Sequence, residues 1–258
     1  MDASPNNKPC LLCDAPMEAL GTPKEVPCIF CGERESVLLS CPDAHHICDC
    51  CRSQDVRLAI ETMAQTTGLT DPIRIAELMM GHPRIGMLDC DHTFIAAGAF
   101  MAALKNSPYG SKITDNEVRE VLDRTARQTT RESCAQTGVC GIVPAMGACV
   151  ALFLDVRFGS DREQQITMDA VTNISQALTD QTGPICCKAY VRVSISVAST
   201  FFAERFGILL PTSRTAVVCR SSEKHPFGCR EGKCVYYLKP ARDIFVDAIH
   251  LPRTVCRS

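Results

Sequence analysis

Near the start of this chain, the segment from Cys28 to Cys51 places metal-ligating residues at the spacing C-x2-C-x9-C-x3-H-x2-C-x2-C. Its two outer Cys-x-x-Cys pairs are 16 residues apart, which is the spacing of a four-cysteine zinc ribbon. Each pair puts two thiolates on one tight turn, so both can reach a single ion at the ~2.3 Å of a zinc–sulfur bond. A site closed by four cysteines stabilises a fold and leaves no position for a substrate. The predicted ligands are Cys28, Cys31, Cys48 and Cys51.

Four more ligands accompany this set. Cys41 and His45 lie between the two pairs, and the pair Cys10 and Cys13 lies upstream. Eight ligands suffice for two interleaved tetrahedral ions, as in a RING-type cross-brace. The extra pair precedes the six-ligand core here, whereas in that family it follows it. One ribbon ion is therefore the expected arrangement, with a second ion as the alternative.

Composition favours metal ligation over disulfides. The chain has 18 cysteines in 258 residues and opens on the polar segment MDASPNNKPC, which is not a secretory signal. Dense cysteine without such a signal is typical of metal-binding or redox proteins of the cytoplasm. A net charge of -2 gives no reason to expect nucleic acid as a partner. No apolar run reaches the ~18–20 residues of a membrane span, so no membrane association is expected.

The sequence predicts a mainly α fold in three parts. Residues 1–54 form the zinc-ribbon-like module, 55–210 a body of buried helices, and 211–258 a Cys-rich tail with a short β-hairpin. Apolar periodicity and capping residues predict helices at these places: two within 55–80 with a break at 68–72, then 92–105, 114–132, 141–157 and 166–180. The segment 187–205 suits either a strand or a packed helix.

Polar residues that can do chemistry lie directly before the buried helix at 92–105. The segment GHPRIGMLDCDH contains Arg84, Asp89, Asp91 and His92. A helix that begins here offers unpaired amides and a positive dipole end to a carboxylate or another anion. We predict these four residues as candidate catalytic residues, together with Lys188. The alternative is that an aspartate caps the helix and the histidines are solvated.

Cysteines also recur on Gly-rich or Pro-rich turns in the body and tail. The candidate ligands for a cofactor are Cys134, Cys140, Cys186, Cys187, Cys229 and Cys234. Cys140 lies between glycines at a helix start, so we expect a depressed pKa for its thiol. We expect Cys149, Cys219 and Cys256 to be inert small apolar residues. The tail is either a lid over the site or a third metal module.

Two segments, SCAQTGVCGIVPAMGACVALFLD and TGPICCKAYVRVSISVA, resemble the catalytic core of the iron–sulfur L-serine dehydratase alpha domain. Asp91-His92-Thr93 is similar to the anion-binding segment of the dehydratases and the related cysteine desulfidases. The resemblance implies that Cys140 and either Cys186 or Cys187 bind a cluster, and that His92 and Thr93 hold a substrate carboxylate. The dehydratases' further cysteine is absent around residue 180. The third ligand would then be one of Cys229, Cys234, Cys134 or Cys90.

As a whole, the chain resembles an uncharacterised domain family of anaerobic prokaryotes, whose members often lie beside radical SAM or methyltransferase domains. That resemblance supplies no reaction. One hypothesis is an oxygen-sensitive lyase for a small amino acid or thiol, with an open iron of a [4Fe–4S] cluster as Lewis acid. His92 and Arg84 would position the carboxylate, and Asp89, Asp91 or Lys188 would accept the proton. The alternative is a non-catalytic accessory or carrier protein for a partner redox enzyme or methyltransferase. A zinc hydrolase is disfavoured, since no His-x-x-x-His ligand pair appears.

Overall fold

The computed structural model describes residues 9–10, 12–13, 15–129, 133–212 and 217–237. An antiparallel hairpin opens it, formed by β1 (Glu18–Pro27) and β2 (Arg34–Ser40). Most residues of both strands are exposed, so the hairpin has little core of its own. A two-stranded hairpin is only marginally stable in water unless something else holds it. The turn between the strands carries two of the predicted metal ligands.

The rest of the fold is helical, as the sequence predicts. The α-helices are α1 (Asp49–Ser53), α2 (Val56–Thr66), α3 (Pro72–Met80), α4 (Asp91–Asn106), α5 (Asp115–Gln128), α6 (Ser133–Thr137), α7 (Ile142–Phe153), α8 (Arg162–Thr179) and α9 (Cys187–Phe206). Short 3-10 turns lie at Gly110–Lys112, Ser222–Lys224 and Glu231–Lys233. None of the helices described combines the length and the apolar character needed to cross a bilayer.

Helix α4 forms the centre of the body, which confirms the predicted buried helix. Every residue from His92 to Leu104 is buried, and α2, α3, α5, α7 and α9 all pack against it. The helix is rich in alanine, and a Cβ on Gly98 would lie 3.2 Å from Cγ2 of Ile60. Small side chains therefore let five helices approach one axis.

Capping residues fix where two helices begin. The Asp71 side chain accepts hydrogen bonds from the backbone of Ile73 and Arg74 at the start of α3. Thr114 and Glu117 form the predicted capping box of α5. The segment 187–205, whose sequence suits either a strand or a packed helix, forms helix α9. Its buried face packs on α3, α4, α7 and α8, so tertiary packing decides against the strand-like alternation.

The predicted β-hairpin in the tail is wrong for residues 217–237. These residues form two 3-10 turns and one isolated parallel bridge between Cys219 and Tyr237. Tertiary hydrogen bonds hold the segment instead, such as the one from His225 Nε2 to the carbonyl of Ile185 (2.9 Å). Residues 238–258, including Cys256, lie outside the described residues.

The N-terminal module and the body share one apolar core. Phe30 is fully buried, and its ring meets that of His82 edge-on at 5.1 Å. Ile47, Cys48 and Cys51 belong to the same buried cluster as the residues of α2, α3 and α4. The division of the chain at residues 54 and 210 stays a prediction.

Candidate metal centres

Two groups of four ligands converge in the N-terminal module. The inner site consists of Cys28, Cys31, Cys48 and Cys51, and the outer site of Cys10, Cys13, Cys41 and His45. Within each group, all four ligand atoms lie within 4.8 Å of one another. The first pair of the chain joins the third, and the second joins the fourth. This is the interleaved order of a cross-brace. The chain therefore offers two four-ligand sites, where one ribbon site was the expected arrangement and a second ion the alternative.

The sulfur atoms of the inner site have the spacing expected around a tetrahedrally coordinated metal ion. Sγ of Cys31 lies 3.8 Å from Sγ of Cys48. Four sulfurs at ~2.3 Å from a zinc ion would be ~3.8 Å apart. The Cys28 sulfur accepts hydrogen bonds from the backbone N–H groups of Phe30 and Cys48, both at 3.4 Å. Such bonds orient thiolate ligands and stabilise their charge.

The outer site is completed by a histidine. Nδ1 of His45 lies 3.6 Å from Sγ of Cys41 and 3.9 Å from Sγ of Cys10. A tetrahedral ion with ordinary zinc–sulfur and zinc–nitrogen bonds would separate such atoms by ~3.6 Å. Burial lowers the pKa of His45, which favours the neutral imidazole that binds metals. The ring and the three thiols therefore fit one ion.

Electrostatics show why these thiols need a cation. Burial raises the pKa of Cys31, Cys51 and Cys13, and neighbouring thiols raise it further; that of Cys13 rises to about 12. Burial also acts against the ionisation of Cys28 and Cys41. In these two, backbone N–H donors and neighbouring thiols outweigh it and lower the pKa. A metal ion at each site would offset the effect of burial and stabilise the ionised forms of Cys31, Cys51 and Cys13.

A third set of cysteines lies where three long helices begin. Cys90 precedes α4, Cys140 lies two residues before α7, and Cys187 is the first residue of α9. These three helices pack against one another. The Cys140 thiol is within electrostatic range of Cys134 and Cys90, and the Cys187 thiol is within range of Cys140 and Cys134. We call Cys90, Cys134, Cys140 and Cys187 the body cysteine group.

The body group is spaced more widely than the N-terminal sites. Among the described residues, only the inner and outer sites meet the 4.8 Å spacing of a single ion. Burial raises the pKa of Cys140 to about 11 and that of Cys187 to about 12. The expected depression of the Cys140 pKa was therefore wrong. Backbone donors from Ile142 to Cys140 and from Asp89 to Cys187 oppose burial without overcoming it.

His92 lies beside this group with one ring nitrogen unsatisfied. Its Nδ1 donates to the carbonyl of Asp89 (3.0 Å), so Nε2 carries the lone pair of a neutral ring. Nε2 is buried and has no hydrogen-bond partner within the described parts of the chain. Burial lowers the pKa of His92 to about 4. The ring is thus held neutral, with a nitrogen acceptor at the start of α4.

The Asp91-His92-Thr93 segment and the Gly-rich segment after Cys140 meet closely here. The Thr93 hydroxyl donates to the carbonyl of Cys90 (2.7 Å), and the Thr129 hydroxyl donates to the Thr93 hydroxyl (3.3 Å). A Cβ on Gly141 would lie 2.9 Å from Cγ2 of Thr93. Glycine at this position therefore allows the start of α7 to reach the start of α4.

Of the other predicted catalytic residues, Asp89 and Lys188 are within electrostatic range of His92. Lys188 Nζ donates to the carbonyl of Met80 (3.1 Å), and burial lowers its pKa. Asp91 is half-buried in the first turn of α4. Arg84 is exposed, and its Nη1 donates to the carbonyl of Gln54 (2.8 Å). Arg84 therefore joins the module to the body at the surface.

A polar cavity of about 540 Å³ lies between the module, the body and the tail. Five of its lining residues are basic: Arg74, Lys188, Arg192, Arg220 and Lys224. Two are acidic, Asp43 and Glu77, which leaves a positive excess. No cysteine of the body group lines this cavity as described. An anion in the cavity would therefore meet Lys188 and not the body thiols.

The remaining predicted ligands lie toward the tail. Cys186 is buried, and the Cys234 thiol is within electrostatic range of Cys186 and Cys219. The Cys229 sulfur accepts a hydrogen bond from the backbone of Glu231 (3.3 Å). Cys219 was expected to be inert, and Cys90 was only one of several alternatives for a third ligand. The signal for Cys90 was its place directly before Asp91 and the buried helix.

Comparison with known proteins gives one match. A family model described as a family of unknown function (DUF5714) matches residues 48–237. No curated protein and no solved structure matches the chain. The matched range contains the whole body group, but only Cys48 and Cys51 of the N-terminal ligands. It fits the resemblance to an uncharacterised domain family, and it gives no support to the dehydratase resemblance or to a radical SAM context.

Proposed function

The chain belongs to the DUF5714 family, a family of unknown function, and we propose that it is an iron–sulfur accessory protein with a zinc-stabilised N-terminal module. The two N-terminal sites support zinc. A Cys₄ set and a Cys₃His set with tetrahedral spacing are typical of closed structural zinc sites. Such ions contribute to folding and leave no position for a substrate.

The body cysteine group carries the proposal for the cluster. Iron–sulfur clusters are held by cysteine thiolates bound to different iron atoms, so their sulfurs lie farther apart than those around one ion. The body group has four cysteines and the wider spacing. Three of its members lie at the N-termini of α4, α7 and α9. The partial positive charge of these termini offsets the negative charge of a thiolate-bound cluster.

A cluster bound by all four thiols has no iron open to a substrate. The proposed role is therefore to carry a cluster or its electrons for a partner enzyme, and a redox enzyme or methyltransferase is the partner class we propose. Free thiols at this density suit a reducing compartment, for which we propose the cytoplasm. Backbone donors to Cys140 and Cys187 would adjust the potential of the cluster.

The unsatisfied Nε2 of His92 favours a second candidate, the lyase. If Cys134 is not a ligand, a cluster on the other three thiols offers one iron as a Lewis acid for a hydroxyl or thiol leaving group. The substrate would be a small amino acid or thiol. Asp89, whose backbone N–H bonds to the Cys187 thiol and whose carbonyl accepts from His92 Nδ1, is the residue we propose to accept its α proton.

Metal and sulfide analysis of anaerobically purified protein tests the cluster. We expect two zinc ions and at least about four iron and four sulfide per chain, because a cubane cluster has that content. Cys140→Ala and Cys134→Ala should each lose about four iron and keep both zinc ions. Cys149→Ala is the matched control, since Cys149 lies fully buried in α7 and donates to the carbonyl of Ala145.

The same samples separate the two candidates. Wild-type protein without iron or sulfide would rule out both of them and leave a zinc-stabilised protein. Retention of the cluster in Cys134→Ala, with a spectrum that serine or cysteine perturbs, would favour the lyase. Loss of the cluster in Cys134→Ala, with no response of the wild type to either amino acid, would support the carrier.

A further inference from the structure

A buried cation in the tail forms no ion pair with any residue that the structure describes. The Arg230 side chain is 7 % exposed, and its Nε and Nη2 have no hydrogen-bond partner among the described residues. Its Nη1 makes one long bond, to the carbonyl of Thr182 (3.4 Å), and the guanidinium lies 5.7 Å from the centre of the Tyr190 ring. None of the ion pairs formed by the described residues includes Arg230. A buried charge is costly unless it is paired, so this group calls for an anion.

One thiol lies near this guanidinium, and two more thiols lie near that one. The Cys234 thiol is within electrostatic range of Arg230, Cys186 and Cys219. Cys186 and Cys219 are each 8 % exposed. The backbone of Cys219 donates to the carbonyl of Tyr236 (2.7 Å), which holds the two halves of the tail together. Arg230 is within electrostatic range of the Cys234 thiol and of the Tyr190 and Tyr236 hydroxyls. Thiols have the lower ordinary pKa and are the ligands of iron–sulfur clusters.

The tail is fixed against the loop that precedes α9. His225 Nε2 donates to the carbonyl of Ile185, and Arg230 Nη1 to that of Thr182. Gly183 has φ +96°, and a Cβ there would lie 2.9 Å from Cβ of Arg230. The close approach of Arg230 therefore requires glycine at position 183 and brings the tail to Cys186.

The vicinal cysteines serve different groups. The Cys187 thiol accepts a hydrogen bond from the backbone of Asp89 and is within range of Cys140 and Cys134, which belong to the body group. The Cys186 thiol is within range of Cys234 in the tail. One turn before α9 thus supplies a thiol to each of two neighbouring groups.

We propose that Cys186, Cys219 and Cys234 bind a second iron–sulfur cluster, with Arg230 as its buried counter-cation. We call this the tail centre. A thiolate-bound cluster carries negative charge and would supply the anionic partner that Arg230 lacks among the described residues. A single ion is disfavoured because these three thiols, like those of the body group, do not form a group of single-ion spacing within the described chain. The cluster requires iron and sulfide and is independent of a cluster on the body group.

Iron and sulfide content of the full chain tests the tail centre. Wild-type protein purified anaerobically should contain about eight iron and eight sulfide, twice the content of one cubane cluster. Cys234→Ala and Cys219→Ala should each lose about half of both, and Cys140→Ala the other half. The double variant Cys140→Ala/Cys234→Ala should lose nearly all iron and keep two zinc ions. Retained zinc and helical circular dichroism show that a variant is folded.

These variants separate failure of the tail centre from failure of the body cluster. If Cys234→Ala and Cys219→Ala keep all their iron while Cys140→Ala loses all of it, the tail centre is overturned and the body cluster stands. The reverse pattern overturns the body cluster alone. Loss of the same iron in Cys229→Ala would add a fourth thiolate to the tail centre and support it. If the wild type contains zinc but no iron, and Cys234→Ala loses part of that zinc, the proposed cluster is overturned.

Arg230→Gln gives an independent readout. If Arg230 balances the charge of a cluster, this variant should lose at least half of the tail iron, or its tail cluster should be reduced at a more negative potential. If no cluster binds there, the substitution removes an unpaired buried charge. The iron content would then stay the same and the protein would become more stable.

Discussion

A chain in which alanine replaces Cys28 should not fold cooperatively and should show no native unfolding transition, because the inner site belongs to the core that the module shares with the body. Phe30 packs on the His82 ring, and the Thr66 hydroxyl donates to the carbonyl of Phe30 (2.9 Å). His82 Nε2 donates to the carbonyl of Cys51 (3.0 Å). Structural zinc contributes about 10–16 kcal/mol to folding, which is as large as the total stability of a typical domain.

Zinc analysis and thermal unfolding followed by circular dichroism check this expectation. Cys28→Ala should bind at most one zinc and should lose the native transition. Cys13→Ala should lose the outer ion but keep a cooperative transition of the helices, because Cys13 lies outside the shared core. Cys50→Ala is the control, since Cys50 is exposed in the same short helix as Cys51. An equal response of the Cys28 and Cys50 variants would contradict the structural role of the inner site.

Replacing Glu77 by alanine should destabilise the fold by about 3 kcal/mol, because the buried Arg192 would lose its partner, whose own side chain is 30 % exposed. The Glu77 carboxylate in α3 accepts from Nε and Nη2 of Arg192 in α9 at 2.6 and 2.9 Å. Arg192 is 4 % exposed and also lies 5.1 Å from the Tyr236 ring centre. Burial alone would lower the pKa of Arg192, but Glu77 outweighs it and keeps the guanidinium charged.

Denaturant unfolding measures this effect, with Glu120→Ala as the control. The Glu120–Arg124 pair lies on the surface of α5 and should contribute only about 0.3–0.5 kcal/mol. The double variant Glu77→Leu/Arg192→Met should recover much of the loss, because no charge then stays buried. A cost below 1 kcal/mol for Glu77→Ala would mean that water reaches Arg192 in the free protein.

Local signals in the sequence predicted the parts of this fold that local chemistry determines. The two Cys-x-x-Cys pairs identified the inner site because each pair is a single turn. Asp71 and Thr114 marked helix starts because a cap acts within three residues. The buried character of α4 followed from its apolar residues on every side.

Contacts between residues distant in the sequence determined those features of the sites that the sequence left open or that we predicted wrongly. The pair Cys10 and Cys13 meets Cys41 only because the hairpin folds back between them. The same limit applied to the body thiols. Cys90 joins them through the packing of α4, and burial at that junction raises the pKa of Cys140 that local context predicted to be low.

The interleaved order of the N-terminal ligands makes the two ions interdependent. The outer ligands Cys41 and His45 lie within the loop that joins Cys31 to Cys48, and the inner pair Cys28 and Cys31 lies within the loop that joins Cys13 to Cys41. Whichever ion binds first shortens the flexible loop that the other must close, and so lowers its entropic cost. Binding of the two metal ions should therefore be positively cooperative, so that the module seldom holds one ion without the other.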